Sequence, residues 1–137
     1  MYLFDASSIV NLVKRGVLKP LAAGATISLA VYEAVSAVWK EYHLLGRVDW
    51  RAAAEWTAIL AEVFATIPVY SLSDLGELGE VLTGVLSVAV GEGITVYDAS
   101  YVYAAKVMRL ALVTDDVKLR SVAGKHVKVL SSAQLLP

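Results

Sequence analysis

Short apolar runs alternate with longer stretches of helical periodicity along the whole chain. The longer stretches carry apolar residues three and four positions apart, which is typical of amphipathic helices, whereas the short runs are typical of buried strands. The predicted strands lie at about residues 2–4, 25–30, 67–72, 110–114 and 127–130. The predicted helices lie at about residues 9–16, 31–45, 50–64, 74–90, 98–108 and 117–123. This alternation predicts an α/β fold in which helical crossovers join parallel strands and cover both faces of the sheet.

Polar capping residues mark several of the predicted helix starts. Ser7 or Ser8 is expected to cap the first helix, Asp49 the third, and Asp98 the fifth. No repeat, low-complexity tract or linker interrupts the pattern, and 137 residues are a usual size for one domain. We therefore expect a single domain over residues 1–137.

Four carboxylates stand near the predicted strand ends. Asp5 and Asp116 come at or just after apolar runs. Glu33 lies about one helical turn beyond another run, and Asp98 opens a helix. Because loops at the carboxyl ends of parallel strands form the ligand crevice of such sheets, we expect all four side chains to meet there. Crowded carboxylates repel one another unless a cation or a proton intervenes, so the cluster predicts a metal site.

Each acid also has a purely structural interpretation. Asp5 and Asp98 are good helix N-caps, and Glu33 is placed to complement a helix dipole. Asp115 and Asp116 both follow a strand, so one can cap the next helix while the other faces the crevice. Periodicity does not choose between these two. The joint arrangement of four acids is what favours a site over four separate structural roles.

Composition narrows the chemistry of such a site. The chain has no cysteine, and its two histidines lack metal-ligand spacing, so oxygen ligands are expected. The net charge of −1 gives no bulk signal for nucleic-acid binding. The apolar fraction of 58% favours an interface with another chain. The longest charge-free stretch, residues 20–32, is shorter than the roughly 20 residues of a membrane span, and the start lacks a signal-peptide pattern. We expect no membrane association and a cytoplasmic location.

The four acids lie in segments that together resemble a PIN-domain protein, specifically a small VapC-like toxin ribonuclease. The segments are YLFDASSIVNLV, SLAVYEAVSAV, GITVYDASYVYAAK and LVTDDVKL, in the order and spacing of that family. The resemblance covers nearly the whole chain. It matches the family's acids to Asp5, Glu33, Asp98 and Asp116, and it leaves Asp115 in a variable position.

The resemblance implies a three-layer α/β/α fold with a short central parallel sheet of four to five strands. It also implies a magnesium- or manganese-dependent endoribonuclease in which Asp5, Asp98 and Asp116 hold the metal. Glu33 is then a further ligand or orients the attacking water. The hydroxyls of Ser7 and Thr114 are then expected to fix the carboxylate orientations. The residue chemistry agrees, because hard divalent cations prefer carboxylate oxygen and activate water for hydrolysis.

The same resemblance implies three partners: an RNA substrate, a second copy of the chain in a homodimer, and a protein antitoxin that blocks the active site. The helix predicted near residues 52–64 is a candidate wall of the antitoxin groove, although core packing explains its pattern equally well. The apolar positions on its adjoining turns are Trp56, Ile59, Leu60 and Val63.

RNA binding requires positive charge or aromatic faces. Basic residues follow the first helix and crowd the C-terminal quarter, where solvated helix ends are their usual role: Lys14, Arg15, Lys19, Lys118, Arg120, Lys125 and Lys128. Tyr97, Tyr101 and Tyr103 are candidates for stacking on bases, with core or dimer packing as their more usual role.

Three other functions remain open. One is an RNA-processing PIN nuclease outside a toxin–antitoxin pair, and the small size without an added RNA-binding domain favours the toxin over it. Another is a non-catalytic binding module, which the presence of all four acids disfavours. The third is a phospho-acceptor receiver domain, which requires an acidic pair after the first strand and a lysine after the last. Here Asp5 is followed by Ala6, and Lys128 lies inside the last predicted strand.

Overall fold

All 137 residues are described by the structure, which is a computed structural model. Its strands are β1 (Tyr2–Phe4), β2 (Gly24–Ile27), β3 (Val69–Tyr70), β4 (Ala111–Val113) and β5 (Val129–Leu130). They form one five-stranded sheet in the order β3-β2-β1-β4-β5, and every pairing is parallel. The predicted short parallel sheet of an α/β fold is therefore confirmed.

Six α-helices connect the strands and cover the sheet. They are α1 (Ala6–Lys14), α2 (Leu29–Trp39), α3 (Trp50–Thr66), α4 (Leu78–Glu92), α5 (Val96–Met108) and α6 (Val117–Ala123). Helices α1, α2 and α3 pack against one another, whereas α4 packs on α5 and α5 contacts β1 and β4. The result is a three-layer α/β/α arrangement. Three 3₁₀ segments (Lys19–Ala23, Leu72–Leu75 and Ser132–Leu135) and one π-helical segment (Lys40–Leu44) complete the chain.

The centre of the sheet is β1, which pairs with β2 on one side and β4 on the other. Leu3 lies between Ala25 and Leu112 in the register and is fully buried. Gly24 lies so close to the ring of Phe4 and the backbone of Tyr2 that a Cβ at this position would overlap both. Close approach of β2 to β1 therefore requires glycine at this position.

The direction of strand addition reverses between β1 and β4, because the chain runs outward through β2 and β3 before it returns to β4 and β5. Such a reversal opens a crevice at the carboxyl ends of the two strands. In receiver-type sheets the third strand lies beside the first. Here β3 is an edge strand beside β2, so the alternative of a receiver domain is wrong.

Several element ends differ from the sequence prediction. The predicted strand 25–30 stops at Ile27, and α2 begins at Leu29 and ends at Trp39. The predicted second helix instead continues as the π-helical segment Lys40–Leu44. A continuous apolar run lacks the periodicity that separates a buried strand from a buried helix, which explains why the boundary was misplaced.

No single helix is long and apolar enough to cross a membrane. Only α4 and α5 taken together pass that test of length and composition, and these two helices are bent by 115° relative to each other.

Candidate acidic metal site

Asp5 follows β1 directly and is buried, with 4% of its surface exposed. Its backbone is extended, which places the carboxylate over the start of α1. Oδ1 accepts hydrogen bonds from the backbone N–H of Ser8 (2.9 Å) and the hydroxyl of Ser7 (2.7 Å). Asp5 is therefore the N-cap of α1, and the expectation that Ser7 or Ser8 caps this helix is wrong, because both serines already lie within its first turn.

The second oxygen of Asp5 accepts a hydrogen bond from the hydroxyl of Thr114, at the end of β4. The Thr114 hydroxyl oxygen in turn accepts from the backbone N–H of Asp116 at 3.1 Å. Burial raises the pKa of Asp5 to about 6, and the hydrogen bonds from Thr114, Ser8 and Ser7 limit the rise. The structure thus places both predicted orienting hydroxyls, those of Ser7 and Thr114, on Asp5.

The raised pKa of Asp5 predicts a pH-dependent stability in metal-free protein. The folded-state pKa of about 6 exceeds the ordinary value of 3.8, so the folded state binds the proton more tightly. This contribution is fully present below pH 3.8 and is lost as the pH rises through about 6. Its full size is about 3 kcal/mol.

Thermal melts in chelator across this window test the prediction on the parent and on Asp5→Asn. Asparagine is also a good N-cap, so the variant is expected to gain stability relative to the parent as the pH rises. Parallel pH profiles for the two proteins would contradict the assignment.

Asp116 also caps a helix, because its Oδ1 accepts from the backbone N–H of Leu119 at 2.8 Å. Asp116 is exposed to solvent. The carboxylate therefore stands at the start of α6 on the carboxyl-terminal side of β4. One of its oxygens is occupied by the cap, which leaves the other available to a ligand.

Asp98 lies in the first turn of α5 and is half-buried. The N-cap of α5 is Thr95, whose hydroxyl accepts from the backbone N–H of Asp98 at 3.1 Å. The expectation that Asp98 caps this helix is therefore wrong, because the helix begins two residues earlier, at Val96. With the cap supplied by Thr95, the carboxylate of Asp98 accepts no hydrogen bond.

The electrostatics connect Asp98 to the acids on either side. Burial raises the pKa of Asp98, the negative charge of Asp116 raises it further, and Lys118 partly offsets the rise. Burial also raises the pKa of Glu33; the hydrogen bond from Tyr101 opposes this, and the charge of Asp98 adds to it. The charge of Asp98 is therefore coupled to those of both Glu33 and Asp116, and each coupling is repulsive.

No side-chain cation forms an ion pair with Asp5, Glu33, Asp98 or Asp116. No three acidic or histidine side chains in the chain converge closely enough to hold one ion by themselves. The expectation that all four carboxylates meet at one place is therefore wrong, because their side chains emerge from different elements and no three converge on one point. The donor set still fits magnesium or manganese, because such ions commonly use one or two carboxylates together with water and substrate phosphate.

No model of a known protein family matches the chain. The chain is 41% identical over 120 residues to Exonuclease VapC9 of Pyrobaculum aerophilum, an alignment that covers 86% of this chain and 82% of the relative. The chain belongs to the VapC family.

Solved structures agree with this assignment. The crystal structure of PAE2754 from Pyrobaculum aerophilum matches with a TM-score of 0.74 and 37% identity, covering 98% of this chain and 92% of that chain. The structure of VapBC2 from Rickettsia felis bound to a promoter DNA fragment matches with a TM-score of 0.64 and 14% identity, over 95% and 97% of the two chains. The second likeness shows the fold, which is the PIN-domain fold of VapC proteins.

In this VapC-family chain the side chain of the neighbouring acid, Asp115, has different partners, although its backbone N–H donates to the hydroxyl of Ser7 at 3.0 Å. Its carboxylate accepts from Asn11 Nδ2 (2.7 Å) and from the backbone N–H of Ser132 (2.7 Å). Burial raises the pKa of Asp115, but the hydrogen bonds from Ser132 and Asn11 outweigh it, so the pKa is lowered overall. Asp115 thus anchors the C-terminal segment to α1, while Asp116 faces Asp98.

The sequence analysis missed the contact between Tyr101 and Glu33, and it missed the partners of Asp115. Tyr101 is buried and donates its hydroxyl to Glu33 Oε1 at 2.6 Å, so base stacking, one of its two expected roles, is wrong. Its position three residues after Asp98, on the same face of α5, is the signal that was available. Asn11 and Ser132 gave no local signal, because their partner Asp115 is distant in sequence.

Two of the seven basic residues named as candidates for RNA binding form ion pairs elsewhere. Lys14 pairs with Glu41 at 3.0 Å, and Lys125 pairs with Glu92 at 3.0 Å. His126 also contacts Glu92, at 2.8 Å. Lys118 alone acts on an acid of the cluster, because its charge lowers the pKa of Asp98.

Proposed function

We propose that this chain is a magnesium- or manganese-dependent endoribonuclease and the toxin of a toxin–antitoxin pair, acting in the cytoplasm. The observation that carries the proposal is the carboxylate of Asp98, which forms no ion pair, repels the charges of Glu33 and Asp116, and is only partly offset by the charge of Lys118. Carboxylates that repel one another in this way favour a bound divalent cation. The 41% identity to a VapC protein named as an exonuclease supports nuclease activity.

In the proposed reaction each residue has a distinct task. Asp5, Asp98 and Asp116 hold the ion directly or through water, and Ser7 and Thr114 keep the Asp5 carboxylate in one orientation. When bound, a divalent ion neutralises phosphate charge and makes water a better nucleophile. Glu33 binds the ion or orients the attacking water. Lys118, beside Asp98, is placed to contact a substrate phosphate.

The mode of cutting distinguishes this proposal from its nearest alternative, because the relative is named an exonuclease. The acids are flanked by Tyr32 (78% exposed) and Tyr97 (59% exposed), one residue before Glu33 and Asp98 respectively. From these exposed positions we infer that the middle of an RNA strand can reach the acids, as well as its end. This favours internal cleavage.

Circular and linear forms of one single-stranded RNA, incubated with the protein and manganese, test the mode of cutting. Linearisation of the circle at a rate comparable to cleavage of the linear form is expected. Degradation of the linear RNA alone would show an exonuclease instead, and chelator should stop either reaction.

A homodimer is the second part of the proposal. Leu78, Leu82, Leu86 and Val90 recur every four residues on α4, and each is between 47% and 75% exposed. Four large apolar side chains in one exposed stripe are unusual on a monomer and typical of an interface.

We expect the parent protein to be a dimer and Leu86→Glu to be a monomer, because the new charge would lie unpaired in the interface. Leu44→Glu is a matched control, since Leu44 is similarly exposed but lies in the π-helical segment. Light scattering after size exclusion measures both. A dimeric Leu86→Glu variant would contradict this interface.

The third part is an antitoxin that covers an apolar groove between α2 and α3. The groove has a volume of about 560 Å³ and is lined almost wholly by apolar side chains, among them Trp39, Tyr42 and Trp50. Besides Trp50, the α3 positions in it are Ala53, Ala54, Thr57, Ala58 and Ala61. None of the four residues named on this helix lines the groove: Leu60 and Val63 are buried in the core, and Trp56 and Ile59 pack against it, so the alternative of core packing holds for them.

An amphipathic helix of an antitoxin fits this groove, since small alanines let a helix approach closely. Among the structural neighbours, a toxin–antitoxin complex from Klebsiella pneumoniae shares the fold, with a TM-score of 0.62. A short gene beside this one, whose product binds the chain and suppresses RNA cleavage, would separate the toxin from an RNA-processing nuclease.

A further inference from the structure

Tyr101 lies in α5 one helical turn after Asp98, and only 1% of its surface is exposed. Its hydroxyl donates to Oε1 of Glu33 at 2.6 Å. Glu33 lies on α2, so this hydrogen bond joins two helices separated by 68 positions in sequence. It is the one hydrogen bond recorded for the Glu33 carboxylate, whose second oxygen is left without a protein partner.

We propose that Tyr101 is a positioning residue that fixes Oε1 of Glu33 and thereby presents Oε2 to the divalent ion, directly or through a water bound to the ion. A glutamate side chain has three rotatable bonds and points in many directions when it is unrestrained. A hydrogen bond to a buried, immobile phenol removes that freedom. The inference rests on the proposed metal-dependent function and adds a residue to it.

The position of Tyr101 on α5 explains how the spacing between Asp98 and Glu33 is maintained. Residues three apart on a helix share a face, so Asp98 and Tyr101 both face the acidic cluster. The same rigid helix therefore carries one acid of the cluster and the group that orients another. A shift of α5 would move both together, which preserves the spacing between Asp98 and Glu33.

Packing alone does not account for the hydroxyl. Tyr103, two residues further along α5, packs its ring so closely on Gly84 that a Cβ there would overlap it, and no hydrogen bond is recorded for its hydroxyl. Tyr103 is only partly buried, so water can reach its hydroxyl, whereas the buried hydroxyl of Tyr101 requires an acceptor from the protein. At Tyr101 the hydroxyl has an acceptor, and the acceptor is an acid of the cluster.

Four proteins test the inference: the parent, Tyr101→Phe, Glu33→Gln and the double variant, each titrated with manganese in a calorimeter and assayed for RNA cleavage. Phenylalanine keeps the buried ring, and water can reach the half-exposed Glu33, so the variants are expected to fold. Loss of a group that orients a metal ligand typically costs about 10- to 100-fold in affinity or activity. We expect Tyr101→Phe to weaken manganese binding by about 10-fold and to slow cleavage by about 10- to 100-fold.

The double variant separates positioning from general structure. In the Glu33→Gln background the Tyr101→Phe change is expected to cause no further loss of manganese affinity, because the carboxylate that Tyr101 orients is already absent. The control Tyr103→Phe should match the parent. Unchanged manganese affinity in Tyr101→Phe, or an equal loss in the Glu33→Gln background, would overturn the inference.

The two readouts keep this inference distinct from the proposed function. Manganese affinities that depend on Tyr101 through Glu33, in a chain that cuts no RNA, would support the positioning role and refute the nuclease. RNA cleavage by the parent, with identical manganese affinities in all four proteins, would support the nuclease and refute the positioning role. A parent that binds no manganese would defeat both.

Discussion

Asp116→Asn is expected to reduce metal-dependent RNA cleavage by at least about 100-fold, because several kcal/mol of charge stabilisation depend on the carboxylate and each 1.36 kcal/mol is tenfold in rate. The fold should survive the change. Asparagine is as good an N-cap as aspartate, so the hydrogen bond from the Leu119 backbone to this side chain is kept.

The neighbouring substitution supplies a matched comparison. Asp115→Asn should leave cleavage within about fivefold of the parent, because the Asp115 side chain contacts Asn11 and Ser132 and the substitution keeps the backbone N–H that donates to Ser7. Its expected effect is on stability, with a loss of about 1–3 kcal/mol as one acceptor oxygen is replaced by a donor. Cleavage rates and urea melts of both variants measure the contrast. Loss of activity in Asp115→Asn with activity retained in Asp116→Asn would reverse the assignment of the two acids.

Asp98→Asn is expected to remove cleavage as strongly as Asp116→Asn and, in chelator, to stabilise the protein. Neutralising Asp98 relieves its repulsion from both Glu33 and Asp116 and breaks no hydrogen bond of its carboxylate. Partly exposed charges interact weakly, so the gain should be a rise in melting temperature of about 1–4 °C.

The metal should invert this order of stability. Added manganese is expected to raise the melting temperature of the parent above that of Asp98→Asn, because only the parent retains the full set of carboxylates. Melts of both proteins in chelator and in manganese give the four values needed. A parent that is more stable than Asp98→Asn in chelator, or that gains nothing from manganese, would contradict a shared cation site.

Sequence reasoning located the acids because strand ends are strong signals. A buried apolar run followed by a polar residue fixes where Asp5 and Asp116 emerge, and the topology of a parallel sheet then brings those two ends together. Since β1 and β4 are direct neighbours in the register, the end of one lies beside the end of the other. These two positions depend on the backbone alone.

Details that depend on side-chain conformation were less accessible. The sequence favours Asp98 as the cap of α5, whereas the extended backbone of Thr95 makes Thr95 the cap in the structure. Periodicity also did not decide which of Asp115 and Asp116 belongs to the acidic cluster. Their separation depends on Asn11 and Ser132, which lie 104 and 17 positions away from Asp115 in the chain. Hydrogen bonds between residues this far apart in the chain cannot be predicted from the local sequence pattern.

The contact between Tyr101 and Glu33 illustrates the same limit. The spacing from Asp98 places Tyr101 on the face of α5 that carries the acid, but which helix lies opposite is a property of the tertiary fold. Burial of the tyrosine was expected. The identity of its hydrogen-bond partner was not, because 68 positions separate the two residues.

Manganese soaked into crystals of the protein, located by its anomalous scattering, tests the acidic metal site most directly. The account predicts an anomalous peak in contact with Asp98 and Asp116, with Asp5 bound to it directly or through water. Manganese found only at unrelated surface positions, with these carboxylates empty at saturating metal, would contradict it.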